Sequence, residues 1–72
     1  MKYKFRTAEK VKIISISIYQ RPSIVKPYLN KKMFITQRKH GRVGNEYELT
    51  NSKDESIAWI YENQLESLEK TK

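Results

Sequence analysis

Hydrophobic and polar positions alternate along much of the chain, which is the pattern of strands with one buried face. The first such segment, Val11–Tyr19, is rich in β-branched residues, and Arg21-Pro22-Ser23 ends it. Its apolar positions change phase after Ile13. We expect a β-bulge at that point, which would turn the valine and the four isoleucines of the segment toward one core.

The middle of the chain contains two further strand patterns, residues 31–39 and residues 46–50. A polar connection at 40–45 predicts a hairpin between them. In the second strand Tyr47 and Leu49 alternate with glutamate and threonine, so these two side chains are expected to face the core.

The segment 54–70 is compatible with two structures, and the choice decides the fold. As a helix it carries an amphipathic stripe made of Ile57, Ile60, Tyr61, Leu65 and Leu68. As β-structure it contains a strand at 56–61, a tight turn at 62–64 and a short closing strand at 65–68. The helical alternative predicts an α+β protein, in which a three-stranded antiparallel sheet carries a C-terminal helix at 54–70.

The stretch Ala58-Trp59-Ile60-Tyr61-Glu62-Asn63-Gln64-Leu65-Glu66 resembles the end of Src-homology-3-like barrels. In those barrels a strand that ends in a small and two bulky residues leads into a one-turn 3₁₀ helix and a last short strand. Residues 9–13 resemble the opening strand of small bacterial members, with Ala8 and Glu9 where Gly-Asp is usual. Over residues 5–69 the resemblance implies a mainly β, five-stranded SH3-like β-barrel with its 3₁₀ turn near 62–64.

The resemblance also makes statements about single residues. It implies that Ile60 and Leu65 belong to the core and that Trp59 flanks the surface. Peptide-binding members carry an ALYDY-like stretch and a Pro and a Tyr in the closing turn. This chain has no such stretch, and Tyr61 and Gln64 occupy the matching positions. We therefore do not expect it to recognise proline-rich peptides.

Charge is strongly segregated along the 72 residues, whose formal net charge is +7. Up to Gly44 there are twelve Lys and Arg against Glu9 alone, whereas from Asn45 onward there are three Lys against seven acidic residues. Such a basic block favours a polyanionic partner. The alternative is that the two blocks face each other in the folded chain.

Composition argues against several classes of function. The chain has no Cys, one His and one Asp, so we expect no metal site, no cofactor and no catalytic residues. Glu46 and Glu48 lie on one strand face, which we interpret as a solvated face, and His40 lacks an evident partner carboxylate. No apolar run is long enough to cross a membrane, and we expect a cytoplasmic protein. We expect one domain over 1–72, with frayed ends at 1–4 and 70–72.

The favoured function is therefore a non-enzymatic binding module for DNA or RNA. Phe34 is predicted to share a strand face with Lys32 and Arg38, which would combine phosphate contacts with base stacking. The cations assigned to this surface are Lys31, Lys32, Arg38, Lys39 and Arg42 around the hairpin, with Arg21 and Lys26 in the preceding loop.

The alternative function is docking on a protein partner through an aromatic patch formed by Tyr28, Trp59 and Tyr61. A third possibility is a homo-oligomer formed through an open strand edge. Salt dependence separates the first two hypotheses, because phosphate contacts weaken steeply with salt and aromatic contacts do not. An oligomer would show a concentration-dependent mass without any ligand.

Overall fold

The computed structural model describes residues 2–69 and shows a mainly β protein with five antiparallel strands in one sheet. The strand order is β4-β3-β2-β1-β5, so β4 and β5 form the two edges. No helix in this described part is long and apolar enough to cross a membrane. The elements are β1 (Lys10–Ile13), α1 (Pro22–Val25), a 3₁₀ turn (Lys26–Tyr28), β2 (Lys32–His40), β3 (Asn45–Thr50), β4 (Ser56–Tyr61), a second 3₁₀ turn (Glu62–Gln64) and β5 (Leu65–Ser67).

The C-terminal segment forms β-structure, and the helix predicted as an alternative over 54–70 is wrong. Ile57 and Ile60 are both buried although they lie three positions apart, a spacing typical of helices. They pair with Leu49 and Tyr47, respectively, so two residues of β4 lie opposite Glu48. This β-bulge turns both isoleucines to the core and explains why the segment mimics an amphipathic helix.

The first strand is much shorter than the predicted Val11–Tyr19, and the expected bulge within it is wrong. The change of phase after Ile13 marks the end of β1. The amide of Ile14 donates to the carbonyl of Gln64, and the chain then makes a turn over residues 17–20. Ile14 is 46% exposed and Ile18 is 91% exposed, so these two side chains do not enter the core.

The second strand contains a bulge that the sequence pattern did not predict. Ile35 pairs with Leu49 and Gln37 pairs with Glu48, which leaves Thr36 as the extra residue. The Thr36 hydroxyl donates to the Glu48 carbonyl over 3.1 Å. A side chain beyond the bulge therefore faces the opposite side of the sheet from the one that period-two spacing predicts.

The core lies on one face of the sheet and includes Ile60 and Leu65, as the sequence predicted. Its largest fully buried side chain is that of Tyr47. The short helix α1 adds Val25 to this core, and Phe5 covers it from the N-terminal segment. The buried hydrophobic residues are Phe5, Val11, Ile13, Val25, Met33, Ile35, Tyr47, Leu49, Ile57, Ile60 and Leu65.

The side chain of Gln64 is as buried as the core, and each of its polar atoms has a hydrogen-bond partner. Its Oε1 accepts hydrogen bonds from the amide of Tyr61 and from Gln20 Nε2, both over 2.9 Å. Its Nε2 donates to the carbonyl of Ser15 and to Gln20 Oε1. Gln64 thus joins the turn between β4 and β5 to the long loop before β2.

The described part of the N-terminal segment, residues 2–4, contacts the sheet, and its predicted fraying stays a prediction. The carbonyl of Lys2 accepts a hydrogen bond from Asn45 Nδ2 over 2.8 Å. The ring of Tyr3 stacks on His40 with 4.4 Å between ring centroids. The other predicted frayed residues, Met1 and 70–72, lie outside the described residues.

Candidate nucleic-acid interface

Lysines gather on the face of β1 and β2 that points away from the core. In both strands the buried positions alternate with solvent-facing ones, so Lys10, Lys12, Lys32 and Phe34 share the outer face. Lys12 lies directly opposite Lys32, and Lys10 lies directly opposite Phe34. Like charges that face each other across a strand pair lower stability by up to about 1 kcal/mol. The Lys12–Lys32 pair itself therefore adds no stability to the fold.

A groove of about 440 Å³ continues this lysine-rich face toward the loop between β3 and β4. Lys32 belongs to both the strand face and the groove, and Lys31 and Lys53 add two further ammonium groups. The groove is lined by Pro27, Tyr28, Lys31, Lys32, Asn51, Ser52, Lys53 and Glu55. We refer below to the five lysines 10, 12, 31, 32 and 53, together with Tyr28 and Phe34, as the basic face.

Carboxylates neutralise only part of the basic face. Lys12 Nζ lies 3.8 Å from Glu66 Oε1, which is the only salt bridge that one of the five lysines makes within residues 2–69. Glu55 lines the groove, but its Oε1 accepts a hydrogen bond from Asn51 Nδ2 over 2.9 Å. The other four ammonium groups make no salt bridge within residues 2–69, so they are available to an anion.

The two aromatic residues of the basic face occupy different positions. Phe34 is half-buried on the outer face, and Lys32 Nζ lies 5.9 Å from its ring centroid. Tyr28 is half-buried in the 3₁₀ turn before β2, where it packs against the core and also lines the groove. Only Phe34 therefore directs its side chain to the solvent side of the sheet.

Arg38 does not share a face with Lys32 and Phe34, so this part of the sequence prediction is wrong. The bulge at Thr36 shifts the register, and Arg38 pairs with the buried Tyr47. Its guanidinium carbon lies 4.5 Å from the ring centroid of Tyr3, and its Nη1 donates to the carbonyl of Phe5 over 3.2 Å. Arg38 thus holds the N-terminal segment instead of extending the basic face.

Lys39 is on the outer face but interacts with two side chains of the sheet. Its Nζ lies 3.7 Å from Glu46 Oε1 and 4.5 Å from the ring centroid of Trp59. Glu48, the other glutamate of this strand face, accepts a hydrogen bond from the Thr36 hydroxyl. Lys39 therefore belongs to a mixed-charge surface on β2, β3 and β4.

The remaining predicted cations lie at three separate places. Arg42 is exposed in the connection between β2 and β3, at the far end of β2 from the groove. Lys26 is exposed in the same 3₁₀ turn as Tyr28. Arg21 is exposed just before α1 and lines a different groove, described next. Of the seven cations predicted from the sequence, Lys31 and Lys32 thus belong to the basic face.

This second groove, of about 290 Å³, lies between the loop before β2 and strand β4. Trp59 and Tyr61 line it together with Tyr19, which is 66% exposed, and Ile24, which is 52% exposed. The rings of Tyr19 and Tyr61 meet edge to face at 6.0 Å. Tyr28, predicted to join Trp59 and Tyr61, instead lines the basic groove. We call the site formed by Tyr19, Ile24, Trp59 and Tyr61 the aromatic groove.

A cluster of polar groups lies at the end of the sheet where the N-terminal segment crosses it. Glu62 Oε2 accepts hydrogen bonds from the Tyr47 hydroxyl (2.5 Å), the Lys4 amide (2.8 Å) and Asn45 Nδ2 (3.0 Å). Asn45 is buried, and its Oδ1 accepts a hydrogen bond from His40 Nδ1 over 2.7 Å. We call Glu62, Tyr47 and Asn45 the polar cluster.

The polar cluster changes the proton affinity of two of its members. Burial, reinforced by the hydrogen bond to Glu62, raises the pKa of Tyr47 to about 12. Burial also opposes the ionisation of Glu62, but the hydrogen bonds from Tyr47, Asn45 and Lys4 outweigh it. The pKa of Glu62 is therefore lower than its ordinary value. Glu62 is thus an anchoring carboxylate, already surrounded by donors from this chain.

Sequence reasoning missed Lys10, Lys12 and Lys53 as members of the basic face and Tyr19 as a member of the aromatic groove. The signal for Lys12 was present, because it lies between Val11 and Ile13 in the predicted strand Val11–Tyr19, and Lys10 directly precedes that strand. Nothing in the sequence pattern reports that β1 lies beside β2, which is what brings Lys12 opposite Lys32. Lys53 in the basic face and Tyr19 in the aromatic groove likewise join their sites through contacts between residues far apart in the sequence.

Comparisons with known proteins assign no function, so the geometry of these surfaces is the basis for a proposal. No protein-family model, curated protein or solved structure matches the chain. Within residues 2–69 there is also no group of three or more His, Cys, Asp or Glu side chains arranged to hold a metal ion.

Proposed function

We propose that the chain is a non-enzymatic nucleic-acid-binding module and that the basic face is its binding surface. The observation that carries this proposal is the pairing of Lys12 with Lys32 across β1 and β2. The two lysines are like charges, and the salt bridge of Lys12 with Glu66 on β5 compensates only one of them, so a bound phosphate chain would neutralise Lys32. Lys31 and Lys53 continue the positive surface into a groove beside it.

We further propose that the fold is a small barrel of the Src-homology-3-like type. Two features support this assignment: β5 lies beside β1 in the sheet, and a one-turn 3₁₀ helix joins β4 to β5. This type of fold serves many functions, so it adds no argument for a particular partner.

The test of the proposed function is binding of fluorescently labelled oligonucleotides to the full chain, measured by anisotropy at several salt concentrations. Four free ammonium groups predict a salt slope near three on single strands, which is about a 50-fold loss of affinity between about 50 and 200 mM salt. Submicromolar binding that lacks this slope, or no binding at about 50 mM salt, would exclude the proposal.

Charge reversals locate the surface. Lys32→Glu and Lys31→Glu should each weaken binding about tenfold or more and lower the salt slope by about one. Arg42→Glu is the matched control, because it changes the net charge equally at an exposed site away from the basic face. If Arg42→Glu weakens binding as much as Lys32→Glu, net charge alone drives binding and the basic face is not the site.

A second candidate function is binding of a protein partner in the aromatic groove. The observation that favours it is the exposure of Tyr19 and Ile24 beside Trp59 and Tyr61 in one groove. Large apolar side chains gathered at a concave surface are typical of interaction sites. Selection from a displayed library of random peptides tests it. Enriched peptides should bind the wild type and the Lys32→Glu variant equally and lose binding to Trp59→Ala.

A further inference from the structure

Phe34 is a large apolar side chain on the outer face of the sheet, and none of its directly paired neighbours is apolar. Phe34 lies in a row of directly opposed residues, with Lys10 on β1 and Thr50 on β3 as its neighbours. Thr50 in turn faces Ser56 on β4. The row therefore gives Phe34 no apolar cross-strand partner, and the buried core lies on the other side of the sheet.

The groups around Phe34 are cationic or small. Lys32 lies two positions before it on the same face, with its Nζ 5.9 Å from the ring centroid, and Lys10 lies directly opposite. An aromatic ring between ammonium groups matches the repeating unit of a nucleic-acid strand, which alternates a flat base with an anionic phosphate. Threonine and serine on the other side leave room for a base to lie on the ring.

These observations distinguish between the forms of nucleic acid. In a duplex the bases are stacked on each other and paired, so a ring that lies on a sheet surface meets only the backbone. In a single strand the bases are free to stack on an aromatic side chain, and lysines contact the phosphates on either side. A duplex would use the ammonium groups of the basic face but not Phe34.

We propose that the basic face binds single-stranded nucleic acid, with one base stacked on Phe34 and the adjacent phosphates held by Lys10 and Lys32. This inference rests on the proposed nucleic-acid function and adds the class of strand and the role of one residue. The stacking is tolerant of base identity, because every base presents a flat π-face.

The experiment compares three probes of equal length: a single-stranded oligothymidine, the duplex it forms with oligoadenosine, and a strand of abasic sugars with all phosphates kept. The single strand should bind the full chain at least about fivefold more tightly than either other probe. Phe34→Leu, which keeps an apolar side chain without a ring, should lose roughly 5- to 150-fold in affinity for oligothymidine and nothing for the abasic strand.

Trp59→Leu is the matched control, because Trp59 is an aromatic residue that contacts Lys39 on the mixed-charge surface and does not line the basic groove. It should leave binding of all three probes unchanged. Equal, salt-dependent binding of the three probes, or an unchanged affinity of Phe34→Leu for oligothymidine, overturns the single-strand inference and leaves the proposed function standing. Binding to none of the probes overturns both. Circular dichroism of each variant verifies that it is folded.

Discussion

Replacing Tyr47 by Phe removes one hydroxyl from the polar cluster and keeps the buried ring in place. That hydroxyl donates a hydrogen bond to Glu62 over 2.5 Å and accepts one from the Lys4 amide. The Lys4 amide also donates to Glu62, so it keeps an acceptor in the variant. A hydrogen bond to a charged group contributes about 1.5–3 kcal/mol, so we expect Tyr47→Phe to lower the free energy of unfolding by about 2 kcal/mol. A domain of this size has a total stability on the order of 5 kcal/mol.

The pH dependence of stability is a separate test of the polar cluster. Burial, reinforced by the hydrogen bond to Glu62, raises the pKa of Tyr47 from its ordinary value of 10.0 to about 12 on folding, so the folded state favours the protonated hydroxyl. This stabilisation is complete below pH 10 and is lost as the pH rises toward 12. The pKa of Glu62 is lowered on folding, so its contribution is present at neutral pH and is lost as the pH falls below about 4.5.

Urea denaturation followed by the fluorescence of Trp59, the only tryptophan, measures both effects. The difference between wild type and Tyr47→Phe should be largest near about pH 7 and smaller at about pH 3 and pH 11. Tyr19→Phe is the control, since its side chain is 66% exposed. A Tyr47→Phe loss below about 0.5 kcal/mol at neutral pH, or a loss independent of pH, would refute the reasoning about the polar cluster.

Two further predictions concern buried and close contacts. Gln64→Leu should lower the free energy of unfolding by about 3 kcal/mol, because it removes the partners of several buried polar groups. Gln20 is half-buried, so Gln20→Leu should lower the free energy of unfolding by less than Gln64→Leu does. Equal losses of stability for the two variants in thermal melts would contradict this. In Gly41→Ala the added methyl group meets the carboxylate of Glu46, so the Glu46 side chain must shift. Glu46 contacts Lys39, whose ammonium group lies over the Trp59 ring, so the Trp59 emission should change. Gly44→Ala is the control, because a methyl group added at Gly44 meets no atom within 4 Å. An equal change of emission in Gly44→Ala would argue against this explanation.

Much of the fold was accessible from local patterns. The strand, turn and strand at the C-terminal end follow from the β-propensity of Ile57 to Tyr61 and from the polar residues after them. The sequence did not exclude the helical alternative, because the bulge in β4 lets two buried isoleucines, Ile57 and Ile60, lie three positions apart. That is also the spacing of neighbours on one face of a helix. Bulges are set by contacts across strands, so one strand's own sequence does not reveal them.

The same limit explains the errors in the candidate site. Period-two spacing placed Arg38 beside Phe34, and the extra residue Thr36 turns it to the other face. The charge segregation identified a basic first part of the chain, but only the pairing of β1 with β2 selects which lysines converge. Residues such as Lys53 join the site through a loop contact, which leaves no trace in the local sequence.

The position of β5 beside β1 has a consequence for the order in which the chain can fold. The hairpins from β2 to β4 join neighbours in sequence, whereas Lys12 pairs with Glu66 and Ile13 pairs with Leu65. During synthesis the ribosome must therefore release the last strand before the first strand can acquire both neighbours. Closing a loop of this length costs entropy early in folding, so we expect the central meander to form first and β5 to dock late.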